Sequence, residues 1–159
     1  MVFIALPALQ RSQRDTQRRN DMSRLASALT NYQTNNGGKL PAQDVTYSRW
    51  TAGSYSAFEV ASSTCDKSIP YKFVKEYLNE PNPTDNSFKD PNGSYYNMMF
   101  LKDVNQENSG ASATATGSYM TIIYNSKCDG EKAVAANGSS NYTTHYKLEG
   151  AGTACLDNQ

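Results

Sequence analysis

The segment Asp21-Met22-Ser23-Arg24-Leu25-Ala26-Ser27-Ala28-Leu29-Thr30-Asn31-Tyr32-Gln33-Thr34-Asn35-Asn36-Gly37-Gly38-Lys39-Leu40-Pro41 sets the architecture of the chain. Met22, Leu25, Ala26, Leu29 and Tyr32 recur at i, i+3, i+4, i+7 and i+10, which is one face of an α-helix. Arg18, Arg24, Ser27, Asn31 and Gln33 lie off that stripe and are expected to face water. No proline or glycine interrupts residues 8 to 36. Asn35-Asn36-Gly37-Gly38 then supplies residues that tolerate positive φ, and Pro41 blocks continuation, so the helix has a built-in stop. About 30 helical residues span roughly 45 Å. That is long for a small domain, so part of the helix should project.

Ahead of the stripe, Met1-Val2-Phe3-Ile4-Ala5-Leu6-Pro7-Ala8-Leu9 is apolar on every side. Such a helix must be buried in protein or lipid. Nine apolar residues fall short of the roughly 20 that a bilayer span needs. They also lack the charged flank and cleavage site of a signal peptide. Pro7 should kink or loosen the helix. The run reads either as a helix start covered by the domain or as the trailing end of a longer apolar rod, and the lack of a capping Ser, Thr or Asp before Val2 favours the second.

The remainder suits one soluble domain. The 159 residues are 38% apolar and 11% aromatic, with Lys+Arg equal to Asp+Glu. Zero formal charge argues against a protein built to grip nucleic acid or an anionic bilayer. The balance is uneven, however. Residues 1–40 hold six bases against two acids, and residues 41–159 nine against thirteen. An ordinary solvated helix face accounts for the basic run; a phosphate or lipid-headgroup contact, and contact between the basic stem of one copy and the acidic head of another, are the alternatives.

Beyond Pro41, residues 42–68 lack periodicity and read as an irregular connection pinned by Trp50 and Phe58. Tyr71–Leu78 has helical spacing, with Ser68 and Pro70 as start signals. Strands are expected at Tyr95–Val104, Tyr119–Asn125 and Tyr142–Glu149, with a weaker one at Glu131–Ala136 turned at Asn137-Gly138. In Tyr142–Glu149 the residues Tyr142, Thr144, Tyr146 and Leu148 share one face, and Thr143, His145 and Lys147 the other. Residues 107–118 are rich in Ser, Ala, Thr and Gly and are expected to form a mobile loop. The fold class is α+β, a long helix across an antiparallel sheet of three to five strands.

Three features together resemble a bacterial type IV pilin. The first is the apolar stem with Pro7 followed by a small residue, leading through Ala28-Leu29-Thr30-Asn31-Tyr32 into Asn36-Gly37-Gly38-Lys39-Leu40-Pro41. The second, Asp90-Pro91-Asn92-Gly93-Ser94-Tyr95-Tyr96, is similar to the D-P-x-G-x-x-Y step that begins the sheet in many pilins and pseudopilins. The third is the pair Cys128 and Cys155, like the disulfide bounding that family's variable C-terminal region. The resemblance implies a stem helix over 1–36 and a globular head over 37–159, with about fifteen further stem residues ahead of Val2. It implies filament assembly through Val2, Phe3, Ile4, Leu6, Pro7 and Leu9, with Met22, Leu25, Leu29 and Tyr32 holding helix to sheet. The implied partners are copies of the chain, the pilus assembly machinery and the inner membrane before assembly. The implied location is the cell-surface pilus, where fibres serve adhesion, surface motility or DNA uptake. A minor pilin or a type II secretion pseudopilin is the nearest alternative. A secreted glycan-binding adhesin module, using a Tyr/Asn-rich surface, is the alternative of another class.

Cys128 follows the second strand and Cys155 the last, so the sheet can bring them together. An oxidising, extracytoplasmic location follows if they bond. Cys65 is then a small buried hydrophobe or a free thiol. No C-x-x-C or H-x-H occurs, so neither a metal centre nor a cofactor is expected. His145, the single histidine, is expected on a solvated face, which leaves a hydrolase without its base and gives no catalytic residues. Gly37-Gly38-Lys39 follows a helix and is a cap, not a phosphate loop. Asp129, Glu131 and Asp157 are read as surface acids, although some secretion pseudopilins bind calcium in the corresponding region.

Overall fold

The computed structural model describes residues 6–41, 43, 47–50, 58–60, 68–78, 88–94, 96–106, 119–150 and 152–159. Of residues 47–50, 58–60, 68–72 and 119 only the backbone enters the description. The first element, α1, runs Leu6–Asn35, as the stripe requires. Met22, Leu25, Leu29 and Tyr32 are buried, Ala28 joins them, and Ala26 packs at the margin. Pro7 lies in the first described turn, where the helix tolerates it. The helix ends on a Schellman-type closure. Gly37 takes φ +64 and Gly38 φ +85, and the Gly38 N–H reaches back 2.8 Å to the Gln33 carbonyl. A Cβ at position 37 would meet no neighbouring atom within 4 Å. Gly37→Ala is therefore expected to cost about 1 kcal/mol through backbone strain alone, read as a lowered urea midpoint with unchanged slope.

Beyond the helix come β1 (Tyr47–Trp50), β2 (Phe58–Val60), α2 (Ser68–Tyr77) and β3 (Asn97–Leu101). A one-turn α3 (Val104–Gln106) precedes β4 (Tyr119–Tyr124), β5 (Ser126–Asp129), β6 (Lys132–Ala135), β7 (Tyr142–Lys147) and β8 (Thr153–Asp157). Six of the strands form one sheet in the order β2-β1-β3-β4-β7-β8. The chain is α+β, as expected, but the sheet is mixed and larger than three to five antiparallel strands. β3 and β4 run parallel, with Asn97 opposite Tyr119 and Leu101 opposite Ile123. The segment 102–118 between them is long enough for the crossover that a parallel pair requires. The region expected to be irregular supplies β1 and β2, which pair with each other and with β3. The positions of the Trp50 and Phe58 side chains lie outside the described residues.

α1 packs against α2, β7 and β8. Between the helices and the sheet lies the main core, including Leu25, Leu29, Phe73, Met98, Phe100, Ile122 and Tyr142. Tyr32 meets Phe73 edge-on, with ring centroids 5.6 Å apart. Strand alternation sends Met99, Leu101 and Ile123 to the opposite face, where they form a second cluster with Val104 and Ala133. A separate two-stranded ribbon, β5–β6, supplies part of that second layer. So the sheet is covered on both sides.

Candidate functional site

The chemistry of the molecule concentrates where α1 meets the sheet. Arg18, expected in water, is buried at 2% exposure. Its Nε and Nη2 donate to the two carboxylate oxygens of Asp90 at 2.8 Å each. Nη1 donates to Asp15 at 2.9 Å and Nη2 also to Glu149 at 2.8 Å. The planar fork thus satisfies a fully buried carboxylate bidentately and still reaches two more. Tyr146 donates its hydroxyl to Asp90, and its ring lies 5.8 Å from the guanidinium carbon. Burial alone would have sent Arg18 to the surface; three carboxylates make the interior tenable.

Asp90 is held for this role by its own turn. The Gly93 N–H bonds the Asp90 carbonyl at 2.8 Å, and the Asn92 N–H bonds its side chain at 2.9 Å. Gly93 takes φ +90, a conformation glycine adopts without strain. The Asp-Pro-Asn-Gly sequence is therefore a platform that presents one carboxylate to the helix. Burial by itself raises the Asp90 carboxyl, but hydrogen bonds from Arg18 and Tyr146 outweigh it, and its pKa stands below the ordinary value. For Asp15, too, burial raises and hydrogen bonding wins: the Glu149 and Gly150 N–H groups and Arg18 bring it below normal. Glu149 is lowered by Arg14 and Arg18. Asp21 goes the other way, because burial outweighs the hydrogen bond it accepts from Tyr96.

The turn joining β7 to β8 is clasped by the same helix. Asp15 accepts the N–H groups of Glu149 and Gly150 at 3.0 Å each. Arg14 grips Glu149 from the solvent side at 2.7 Å. Farther along α1, Tyr142 donates its hydroxyl to the Ala26 carbonyl at 2.8 Å and lies 3.0 Å from the Thr30 hydroxyl. Tyr142→Phe is expected to lose about 1 kcal/mol, read by chemical denaturation, because the ring stays packed and only the hydrogen bonds go. Arg24 donates to the Leu78 carbonyl at 2.8 Å and lies over the Phe88 ring. This constellation is a fastening, built to hold a helix in one register.

On the far side of that clasp the helix stands clear. Residues 6–13 are all exposed, and Leu6 and Leu9 each show 55% of their surface. Val2, Phe3 and Ile4 lie outside the described residues. No described helix is long and apolar enough to cross a membrane.

The back of the sheet holds the disulfide. Cys128 on β5 is bonded to Cys155 on β8, with Cα atoms 5.9 Å apart. Cys65 lies outside the described residues. His145 departs from its expected place in solvent and is buried at 5% exposure. The alternation of β7 is as read, with Thr143 and His145 opposite the tyrosines, but the ribbon covers that face. Ser126 shares a 2.8 Å hydrogen bond with Thr143, and His145 Nε2 lies 2.9 Å from Cys155 Sγ. Of the three acids near the disulfide, Asp157 accepts the Cys128 N–H and Glu131 the Thr153 N–H. Asp129 is exposed.

No protein-family model, no curated protein and no solved structure matches the chain.

Proposed function

We propose that the chain is a structural, non-catalytic subunit of a type IV pilus-like filament. Its N-terminal helix would pack against the helices of identical neighbours, and its head would cover the fibre. The observation that carries this reading is the division of α1. One half is sunk into the sheet and ionically clasped, while the end nearest the N-terminus stands free with Leu6 and Leu9 exposed. An apolar helix end has no stable home in water and finds one among copies of itself. Heterologous packing that does not close gives a helical polymer. The Asp90–Ser94 turn and the disulfide near the C-terminus add to the pilin likeness.

On this reading the protein passes through the cytoplasmic membrane before export into the surface fibre, handled there by the assembly machinery. The test is immunogold microscopy of cells carrying the native gene, with antiserum to the head. Label along whole surface filaments, and loss of filaments on gene deletion, are expected. Trace label in purified fibres would move the protein to the minor pilins or secretion pseudopilins, and unlabelled fibres would end the proposal. Leu6→Ser with Leu9→Ser should prevent fibre formation while shifting the stability of the isolated chain by no more than about 0.5 kcal/mol, since both side chains are exposed.

A further inference from the structure

The cystine and the buried histidine stand together on the ribbon-covered face of the sheet. Cys128 Sγ, Cys155 Sγ and His145 Nε2 all lie within 4.8 Å of one another. Two of the three are fixed by the β-ladder, because His145 stands directly opposite Cys155 in the antiparallel β7–β8 register. The third is delivered from above by the β5–β6 ribbon. In a tetrahedral zinc site, metal–sulfur bonds of about 2.3 Å and metal–nitrogen bonds of about 2.0 Å place two sulfurs about 3.8 Å apart and sulfur and nitrogen about 3.5 Å apart. The three donors need only sub-ångström to about 2 Å movements to reach that spacing once the sulfurs are released from each other. The imidazole already points its Nε2 at the sulfur pair, and the half-buried cysteines leave an approach from solvent.

We propose that, in the reduced chain, Cys128, Cys155 and His145 form a Cys₂His site for a zinc-class divalent metal, with water as fourth ligand. Metal site and disulfide are mutually exclusive uses of the same two sulfurs. A phosphine reductant opens the disulfide and is oxidised, taking its oxygen from water; the two electrons and two protons leave both cysteines as thiols. Metal binding then displaces the two thiol protons to buffer, giving two thiolates and one neutral imidazole around a dication. The site carries no net charge, which suits the covered face of a sheet. The metal takes over the cross-link between β5 and β8 that reduction removes.

Cobalt(II) is the probe, because it occupies zinc sites and reports its ligands by absorption. The full chain carrying Cys65→Ser, so that two thiols remain, is reduced with phosphine and titrated with cobalt. One equivalent is expected to give the intense visible bands of a tetrahedral centre and thiolate-to-cobalt charge transfer in the near ultraviolet. The oxidised chain should give neither. Displacement by zinc should abolish the bands and raise the melting temperature above that of the reduced apo chain. His145→Asn should weaken cobalt binding at least tenfold, and His145→Cys should restore it with stronger charge transfer. Absence of tetrahedral bands in the reduced chain overturns the proposal, as does a His145→Asn variant that binds as tightly as its parent. A reduced chain that unfolds and is not refolded by metal overturns it equally.

Discussion

Arg18→Met is expected to cost about 3–5 kcal/mol, enough to unfold a marginally stable domain at 37 °C. The guanidinium supplies four hydrogen bonds to three carboxylates. Its loss strands Asp90, whose side chain is fully buried, as an uncompensated charge. Methionine fills much of the volume, so the effect reports electrostatics and not a cavity. Adding Asp90→Asn should recover about 1–2 kcal/mol, because asparagine keeps an acceptor for the Asn92 N–H and drops the stranded charge. Urea denaturation of the three variants closes a double-mutant cycle, and additive losses would dismiss the clasp as a coupled unit. The same network sets the response to acid. Asp15, Asp90 and Glu149 have folded-state pKa values below their reference values of 3.8, 3.8 and 4.5. Their contribution is present above those references and is lost as the pH falls through the lower folded values. Asp21 has the opposite sign: raised above 3.8, it favours the fold below that pH and opposes it once ionised. Three groups against one predict net acid destabilisation, measured as a falling melting temperature below about pH 4. The Arg18→Met variant should show a flatter profile.

Loss of the Cys128–Cys155 bond should cost about 3.5 kcal/mol, from the loop-closure entropy of a sequence separation of 27. The damage should be local as well as global. The β5–β6 ribbon is not part of the large sheet, and the bond ties it to β8. In a Cys128→Ser, Cys155→Ser chain, amide exchange across Ser126–Ala135 should accelerate well ahead of exchange in β4 and β7. Uniform acceleration across all strands would show instead that the ribbon has no separate mobility.

The helix was legible because a period sustained over many turns, closed by Gly37-Gly38, has no competing explanation. The β7 alternation and the cysteine pair were legible too. Burial of the second face was not. Alternation says which residues of β7 share a side, but His145 and Thr143 are enclosed by a ribbon whose strand β5 is separated from β4 by the single residue Asn125, at φ +53, with no longer turn signature. Arg18 was legible in principle. Read as lying off the stripe and in water, it in fact falls one turn before Met22, in the series 18, 22, 25, 29, 32, and a charge continuing an apolar stripe calls for a buried partner. Aspartate in the Asp90 turn was the available candidate. The parallel β3–β4 pair was hidden because strand direction depends on the route of the intervening segment, which residue pattern does not encode. Strands β1 and β2 were missed where Ser, Thr and Ala dilute the periodic signal.

The distance along the chain between the clasp's partners has a consequence for biogenesis. Arg18 and Glu149 are 131 positions apart, and the sheet surface under α1 is built from β7 and β8. The ribosome therefore delivers the helix first and its seat last. Until the final strands emerge, α1 carries Met22, Leu25 and Leu29 with α2 but no β7–β8 seat to lie on, a window in which a chaperone or a bilayer would be its natural shelter. High contact order of this kind predicts slow, late docking of the helix, and a nascent chain stopped short of Glu149 should remain protease-sensitive from its first helix onward.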